Sequence, residues 1–172
     1  MRISRVLVEF ARLLLNDDVE WCGFLFGEKS DLDMYIKNYG QDLDGRAACS
    51  LGQSYRPIIW HTHPNSVKSY PSGEDYLKIL KTGTNRPVIS LIFTRWGIWE
   101  LYAKKKLNLS DIPRLLKEIT ELSKPIYEQS ERGMSRNPPK NIYAYAEYME
   151  KYLSMNIHFT PWNESEYTFY TE

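Results

Sequence analysis

The stretch "IIWHTHPNSVKSYPSGEDYLKIL", residues 58–80, carries a strand signal and a helix signal within one short segment. The apolar run "RPIIWHTH", residues 56–63, predicts a buried strand. "SGEDYLKILKTG", residues 72–83, predicts a helix that begins at a serine cap and ends at a glycine. Pro64 and Pro71 lie in the intervening loop, so the chain is expected to turn back from the strand to the helix.

Strand and helix signals alternate in the rest of the chain. Further helices are predicted at about residues 3–15, 108–129 and 142–155, and strands at about 22–29, 33–40 and in a hairpin over 86–105 that turns near Gly97. This order predicts one α/β domain, in which a central mixed sheet is flanked by helices and followed by a C-terminal helical extension. We expect a main unit at residues 1–125, with a helix and an aromatic tail at 126–172 packed on it.

The first predicted helix is amphipathic. Val6, Phe10, Leu13 and Leu14 fall at helical spacing, so this face is expected to pack on the domain. Two charged residues interrupt the apolar run and no small-residue cleavage site follows, which argues against a signal peptide. No run approaches the length of a membrane span, and we expect a cytoplasmic protein.

Composition narrows the classes of function. The chain has 22 Lys and Arg residues and 22 Asp and Glu residues, and this balance argues against a large sequence-independent nucleic-acid surface. The two cysteines, Cys22 and Cys49, have no C-x-x-C spacing, so we expect neither a disulfide framework nor a zinc knuckle. Cys49 is interpreted as an ordinary loop thiol.

Two histidines follow the apolar run of the predicted strand. Residues two apart in a strand point to the same face, so His61 and His63 can aim at one point, as two zinc ligands would. Asp75, in the first turn of the next helix, is a candidate third ligand. Three ligands with no obvious fourth are typical of a catalytic zinc. A pair of histidines is also common in strands without metal, and Ser72 with Asp75 is also a capping box.

A zinc hydrolase needs a general base, and Glu20 is the candidate. It lies at the mouth of the apolar strand in "DVEWCGFLFG", residues 18–27, where burial and a nearby cation can tune its pKa. The alternative interpretation is an ordinary exposed glutamate in a turn between helix and strand.

Together these residues resemble the JAMM/MPN+ family of zinc metallopeptidases. The matching motifs are E-x-C-G-x-L-x-G from Glu20, H-T-H-P from His61 and S-x-x-D from Ser72. The order of elements over about residues 1–125 also fits the family's α/β fold, whereas residues after about 135 are not covered. The spacing between His63 and Ser72 is one residue longer than is usual in the family.

The resemblance implies a role for each motif residue. His61, His63 and Asp75 would bind one zinc ion per chain with a water as fourth ligand, and residues 1–125 would be the catalytic domain. Glu20 would be the base that deprotonates the water. Ser72 would help to position or stabilise the oxyanion.

The resemblance also implies a substrate. Members of the family mostly cleave after the C-terminal tail of ubiquitin or a ubiquitin-like protein, and this short chain resembles the compact bacterial or viral members. Residues 44–57 and 65–71 would form the walls of the substrate groove. The expected partner is a ubiquitin-like protein or its conjugate, with no nucleic acid or membrane, and a homodimer or a partner subunit is compatible with this interpretation.

Two other functions stay open at this point. The chain is alternatively a zinc hydrolase on a cell-wall or phage-tail peptide, or a catalytically inactive MPN scaffold that binds partners. The C-terminal segment contains almost half of the tyrosines, and these are expected to pack in the core, with an exposed subset able to dock a partner. They are Tyr143, Tyr145, Tyr148, Tyr152, Tyr167 and Tyr170.

Overall fold

The computed structural model describes residues 5–28, 31–38, 58–82, 88–103, 110–130 and 135–163. The helices in these ranges are α1 (Arg5–Leu14), α2 (Gly73–Thr82), α3 (Ile112–Gln129) and α4 (Ile142–Leu153). The strands are β1 (Trp21–Glu28), β2 (Asp31–Asn38), β3 (Ile58–Thr62), β4 (Ile89–Phe93), β5 (Gly97–Ala103) and β6 (Met155–Pro161). The predicted helices and strands are therefore present, with small shifts at their ends.

The six strands form one sheet in the order β2-β1-β3-β4-β5-β6. The central pair, β3 and β4, is parallel, and every other neighbouring pair is antiparallel. A parallel pair needs a crossover connection, and α2 lies in the connection between β3 and β4. The prediction of an α/β fold with a mixed sheet and flanking helices is confirmed.

The predicted turn near Gly97 joins β4 to β5. The amide of Thr94 donates to the carbonyl oxygen of Gly97 at 2.9 Å, and the amide of Gly97 donates back to Thr94 at 3.3 Å. A Cβ atom at position 97 would collide with the carbonyl oxygen of Thr160 in β6. Glycine is therefore required here by the close approach of two backbones.

The two faces of the sheet contribute to two separate hydrophobic clusters. Along β3, Ile58 and Trp60 belong to a cluster with Val8 and Ala11 of α1, whereas Ile59 belongs to a larger cluster with residues of α2, α3 and α4. We call these the α1 face and the three-helix face. His61 and His63 have the same parity as Ile59, so alternation places both side chains on the three-helix face.

The packed face of α1 differs from the predicted one. Val6, Phe10 and Leu13 are exposed, with 77%, 38% and 66% of their surface accessible. Val8 and Ala11 are instead fully buried against the sheet. Apolar residues cover more than half of the circumference of this helix, so periodicity alone could not select the face that packs. Of the predicted residues, only Leu14 packs partly against the α1-face cluster.

The C-terminal segment contains a strand, β6, at a place where the sequence predicts an aromatic tail. Strand β6 follows α4 after Ser154 and pairs with β5 along its whole length. Met155, Ile157 and Phe159 alternate inward from it. The predicted boundary between residues 125 and 126 lies inside α3. Tyr167 and Tyr170 lie outside the described residues, and the division into two units stays a prediction.

Candidate metal centre

The two motif histidines lie at the end of β3: His61 is in the strand and His63 directly follows it. Both are buried, with 6% of their surface accessible. Their Nε2 atoms are 3.2 Å apart, and the His63 amide donates to the carbonyl oxygen of Phe93 at 2.8 Å, which extends the ladder with β4 past the end of the strand. The strand therefore brings the two imidazole rings to one point, as their spacing predicts.

The carboxylate of Asp75 faces both histidines. Its Oδ1 lies 3.0 Å from Nε2 of His61, and its Oδ2 lies 3.3 Å from Nε2 of His63. A zinc ion with bonds of about 2.0–2.1 Å in tetrahedral geometry holds its ligand atoms about 3.3 Å from one another. The distance between the two nitrogens, and the distance from each nitrogen to the carboxylate oxygen that faces it, are close to that length. These three residues can therefore hold a metal ion. Within the described ranges, no other group of three or more His, Cys, Asp and Glu side chains is close enough together to do so.

Asp75 is also part of the helix cap. The backbone amide and the hydroxyl of Ser72 both donate to Oδ2 of Asp75 at 2.7 Å, and the amide of Asp75 donates to the Ser72 hydroxyl at 3.3 Å. This is the reciprocal pattern of a capping box. The two interpretations of this motif are therefore compatible, because the cap holds the carboxylate where it faces the histidines.

The orientation of His63 is set by its second ring nitrogen. Nδ1 lies 3.1 Å from the carbonyl oxygen of Lys68, in the loop before α2. A carbonyl oxygen can only accept, so Nδ1 carries the proton and donates it. In the neutral ring, the lone pair of Nε2 then faces the carboxylate of Asp75. Two facing acceptors need a cation between them, either a proton or a metal ion.

The charges at the centre are coupled. Burial raises the pKa of Asp75, but the charges of the two histidines outweigh it and hold this pKa well below its usual value. Burial lowers the pKa of His63, whereas the charge and hydrogen bond of Asp75 outweigh it and raise the pKa overall. Asp75 is thus ionised at neutral pH, as a metal ligand must be.

Glu20 is half-buried directly before β1. The amide of Trp21 donates to Oγ1 of Thr62 at 2.9 Å, and this bond fixes the start of β1 against the end of β3. Burial raises the pKa of Glu20, while the charges of His61 and His63 partly lower it. Glu20 is therefore not an ordinary exposed glutamate: it is partly buried, the charges of His61 and His63 act on it, and its pKa is raised.

Cys22 is disulfide-bonded, whereas no disulfide is expected from the sequence. It lies opposite His61 in the register of β1 and β3, so both side chains are on the three-helix face. The other cysteine, Cys49, lies outside the described residues, as do residues 44–57 of the predicted groove. Disulfides are typical of oxidising compartments, so this bond does not support the cytoplasmic location, which stays a prediction.

The sequence motifs predict the side chains of the candidate centre, but they do not predict the Lys68 carbonyl that orients His63. The Lys68 carbonyl has no residue-type signature, since every residue carries one. The neighbouring residues give a partial signal, because Ser69, Tyr70 and Pro71 form a small aromatic and proline-containing run that is buried. Such a run in a predicted loop indicates that the loop is packed on the domain.

Comparison of the chain with known protein families and with curated proteins finds no match. Within the described residues, no helix is long and apolar enough to cross a membrane.

Proposed function

We propose that this protein is a zinc-dependent peptidase or isopeptidase of the JAMM/MPN+ type, with one zinc ion bound by His61, His63 and Asp75. The observation that carries the proposal is the convergence of these three side chains: the two Nε2 atoms are 3.2 Å apart, Oδ1 of Asp75 lies 3.0 Å from Nε2 of His61, and Oδ2 of Asp75 lies 3.3 Å from Nε2 of His63. Two imidazole nitrogens and one carboxylate are a donor set that suits zinc, and three protein ligands leave a position for water. Residues 1–125 would form the catalytic domain.

When bound, zinc supplies Lewis acidity, which acidifies water and polarises a carbonyl group. Glu20 would take the proton of the attacking water and deliver it to the leaving amine. Its raised pKa suits this role, because the group must both accept and release a proton near neutral pH. Ser72 is exposed beside Asp75, where its hydroxyl would help to stabilise the charge on the carbonyl oxygen.

The proposed substrate is the C-terminal tail of ubiquitin or a ubiquitin-like protein, in a conjugate or a precursor. The resemblance of the motifs supports this class. An extended tail with small residues at its end would suit a groove beside the metal, and residues 65–71, between His63 and α2, would form one of its walls. A partner subunit or a second copy of the chain is compatible with this function but is not required for it.

The test is cleavage of a panel of fusions in which ubiquitin or a ubiquitin-like protein is joined to a reporter through its C-terminal tail. We expect cleavage at the tail, loss of cleavage with a strong zinc chelator, and recovery when zinc is added back. His61→Ala is the matched variant and should be inactive with or without added zinc.

Two outcomes would redirect the proposal. If the panel stays intact while a cell-wall or phage-tail peptide is cut, the chain is a zinc hydrolase on a different substrate. If zinc binds and no peptide is cut, but a ubiquitin-like protein binds, the chain is an inactive scaffold.

A further inference from the structure

The loop between His63 and α2 is held at both ends. Near its start, the amide of Asn65 donates to the carbonyl oxygen of Leu15 at 2.9 Å, after the end of α1. Near its end, Ser69 is buried, and its carbonyl oxygen accepts a hydrogen bond from Nε1 of Trp99 at 3.0 Å. Trp99 lies in β5, two strands away from the histidines. The loop is therefore fixed by a side chain that is remote in sequence from the metal motif.

The bond from Trp99 restrains the group that orients His63. The carbonyl of Lys68, which accepts from His63 Nδ1, belongs to the peptide unit next to that of the Ser69 carbonyl. Adjacent peptide planes can rotate only about the two backbone dihedrals of the residue that they share. A fixed Ser69 carbonyl therefore limits the directions in which the Lys68 carbonyl can point.

Trp99 is itself held rigidly. It is fully buried, its ring meets that of Tyr145 edge-on at 6.1 Å, and it contacts Phe159 at a centroid distance of 4.8 Å. Tyr145 lies in α4 and Phe159 in β6, so the C-terminal segment supports the indole from one side. The Tyr145 hydroxyl is in turn hydrogen-bonded with Ser123 at 2.9 Å. The indole N–H is thus aimed at the loop by a packed core.

We infer that Trp99 is a positioning residue for the metal centre: its indole N–H holds the Ser69 carbonyl, and through it the Lys68 carbonyl that orients the His63 ring. This inference rests on the proposed function only in that a metal ion binds at His61, His63 and Asp75. According to this inference, β5 and the C-terminal segment contribute to metal affinity, although they contain none of the motif residues.

Trp96 provides a matched control. It is also a buried tryptophan whose indole donates to a backbone carbonyl, that of Ser135 at 2.9 Å, but Ser135 precedes α4 and lies outside the metal-site loop. Its ring also stacks on Tyr70 of the loop between His63 and α2, at 6.2 Å, and a phenylalanine at position 96 would keep an aromatic ring for this contact. Trp96→Phe and Trp99→Phe therefore remove the same atoms from the core, and only one of them frees the Ser69 carbonyl.

The experiment compares the two variants with the wild-type protein. Zinc affinity is measured by competition with a chromogenic chelator, the visible spectrum is recorded on the cobalt(II)-loaded protein, and thermal unfolding is followed without metal. Loss of a hydrogen bond that orients a metal-bound histidine costs about 10–100-fold in metal affinity. We expect about 10-fold for Trp99→Phe, at the lower end of that range, because Trp99 acts through one further peptide unit. The cobalt spectrum should change in parallel, whereas Trp96→Phe should match the wild type in both measurements.

A zinc affinity equal to that of the wild type in Trp99→Phe would overturn the inference, as would an equal loss in Trp96→Phe. If Trp99→Phe does not fold, benzothienylalanine at position 99 keeps the shape of the indole and replaces only its N–H. That protein should show the same loss of zinc affinity, and wild-type affinity would again overturn the inference.

The inference and the proposed function fail in different ways. A wild-type protein that binds no metal overturns both. A wild-type protein that binds zinc tightly and cleaves no peptide overturns the proposed activity, while the affinities of the two tryptophan variants still decide the role of Trp99.

Discussion

The two faces of the sheet are covered in different ways. On the three-helix face, α2, α3 and α4 pack over a large cluster with many aromatic residues, and the candidate metal ligands are on the same side of the sheet. On the α1 face, a helix of ten residues covers a smaller cluster, and an apolar stripe of this helix stays exposed. His61 and His63 alternate with Trp60 and Thr62, so a change of one residue in the register of β3 would move the ligands to the α1 face.

The candidate metal centre uses elements that cover the three-helix face. On the three-helix face the first turn of α2 presents Asp75, and the loop before it presents the Lys68 carbonyl to His63. Variants at the candidate metal centre and its supporting loop should therefore affect metal binding and chemistry, and variants on the α1 face should affect stability alone.

The largest expected effect is on the three-helix face, at Glu20. Glu20→Gln keeps the size of the side chain but removes the basic site, so turnover of a cleaved fusion should fall by about 10²–10⁴-fold, as is typical of a lost general acid or base. The loss can be larger, since one group would serve both proton transfers. Zinc content and substrate binding should stay at the wild-type level. Near-normal turnover would mean that another group accepts the proton, and loss of zinc would make Glu20 a ligand or a support.

The next effect separates the two stripes of α1. Val8→Ala should lower the free energy of unfolding by about 2 kcal/mol, because Val8 is fully buried and the variant removes two methyl groups from the core. Val6→Ala is the matched control: it removes the same atoms and gains the same helix propensity, but Val6 is 77% exposed. Its free energy of unfolding in urea should stay within about 0.5 kcal/mol of the wild type.

Equal losses for the two variants would mean that the exposed stripe of α1 is covered in solution. In neither variant should zinc affinity change, because both positions are on the α1 face. A change in zinc affinity in Val8→Ala would contradict the separation between the two faces.

The smallest effect is a stabilisation at the end of α4. Ser154 caps this helix in the left-handed conformation, with φ 51° and ψ 40°. This conformation costs a residue other than glycine about 1–2 kcal/mol, and glycine gives back about 0.4–1 kcal/mol through the greater freedom of the unfolded chain. Ser154→Gly should thus stabilise the protein by about 1 kcal/mol or less, measured by urea unfolding. Ser154→Ala is the control and should give no stabilisation.

The sequence predicted the centre better than the fold around it. Alternation in a strand and one helical turn are local rules, so they were sufficient to bring His61, His63 and Asp75 together. The packed face of α1 could not be predicted, because apolar residues cover most of that helix and only the tertiary structure selects among them. The contact of Trp99 with Ser69 also joins residues 30 apart in sequence and leaves no local pattern.

The sequence of strand β6 contains a strand signal. "MNIHFTP", residues 155–161, alternates apolar and polar residues over its first five positions, which is typical of a half-buried strand. The aromatic residues nearby led to its interpretation as a tail. Its pairing with β5 places it in the same sheet as His61, one of the candidate metal ligands.

The most direct test of the account is the zinc content of three proteins: the wild type, Asp75→Ala and Asp111→Ala. Asp75 and Asp111 both cap a helix, and Asp111 accepts from the amide of Arg114 at 3.1 Å in the first turn of α3. Loss of either cap should cost about 0.5–2 kcal/mol of stability, seen in thermal unfolding without metal. Only Asp75 also faces the two histidines.

After dialysis against zinc and removal of excess metal, elemental analysis should find about one zinc ion per chain in the wild type and in Asp111→Ala, and almost none in Asp75→Ala. His61→Ala should lose zinc in the same way. A wild type without zinc, or an Asp75→Ala protein that keeps the wild-type amount, would show that Asp75 is a helix cap and not a metal ligand, and would contradict the account.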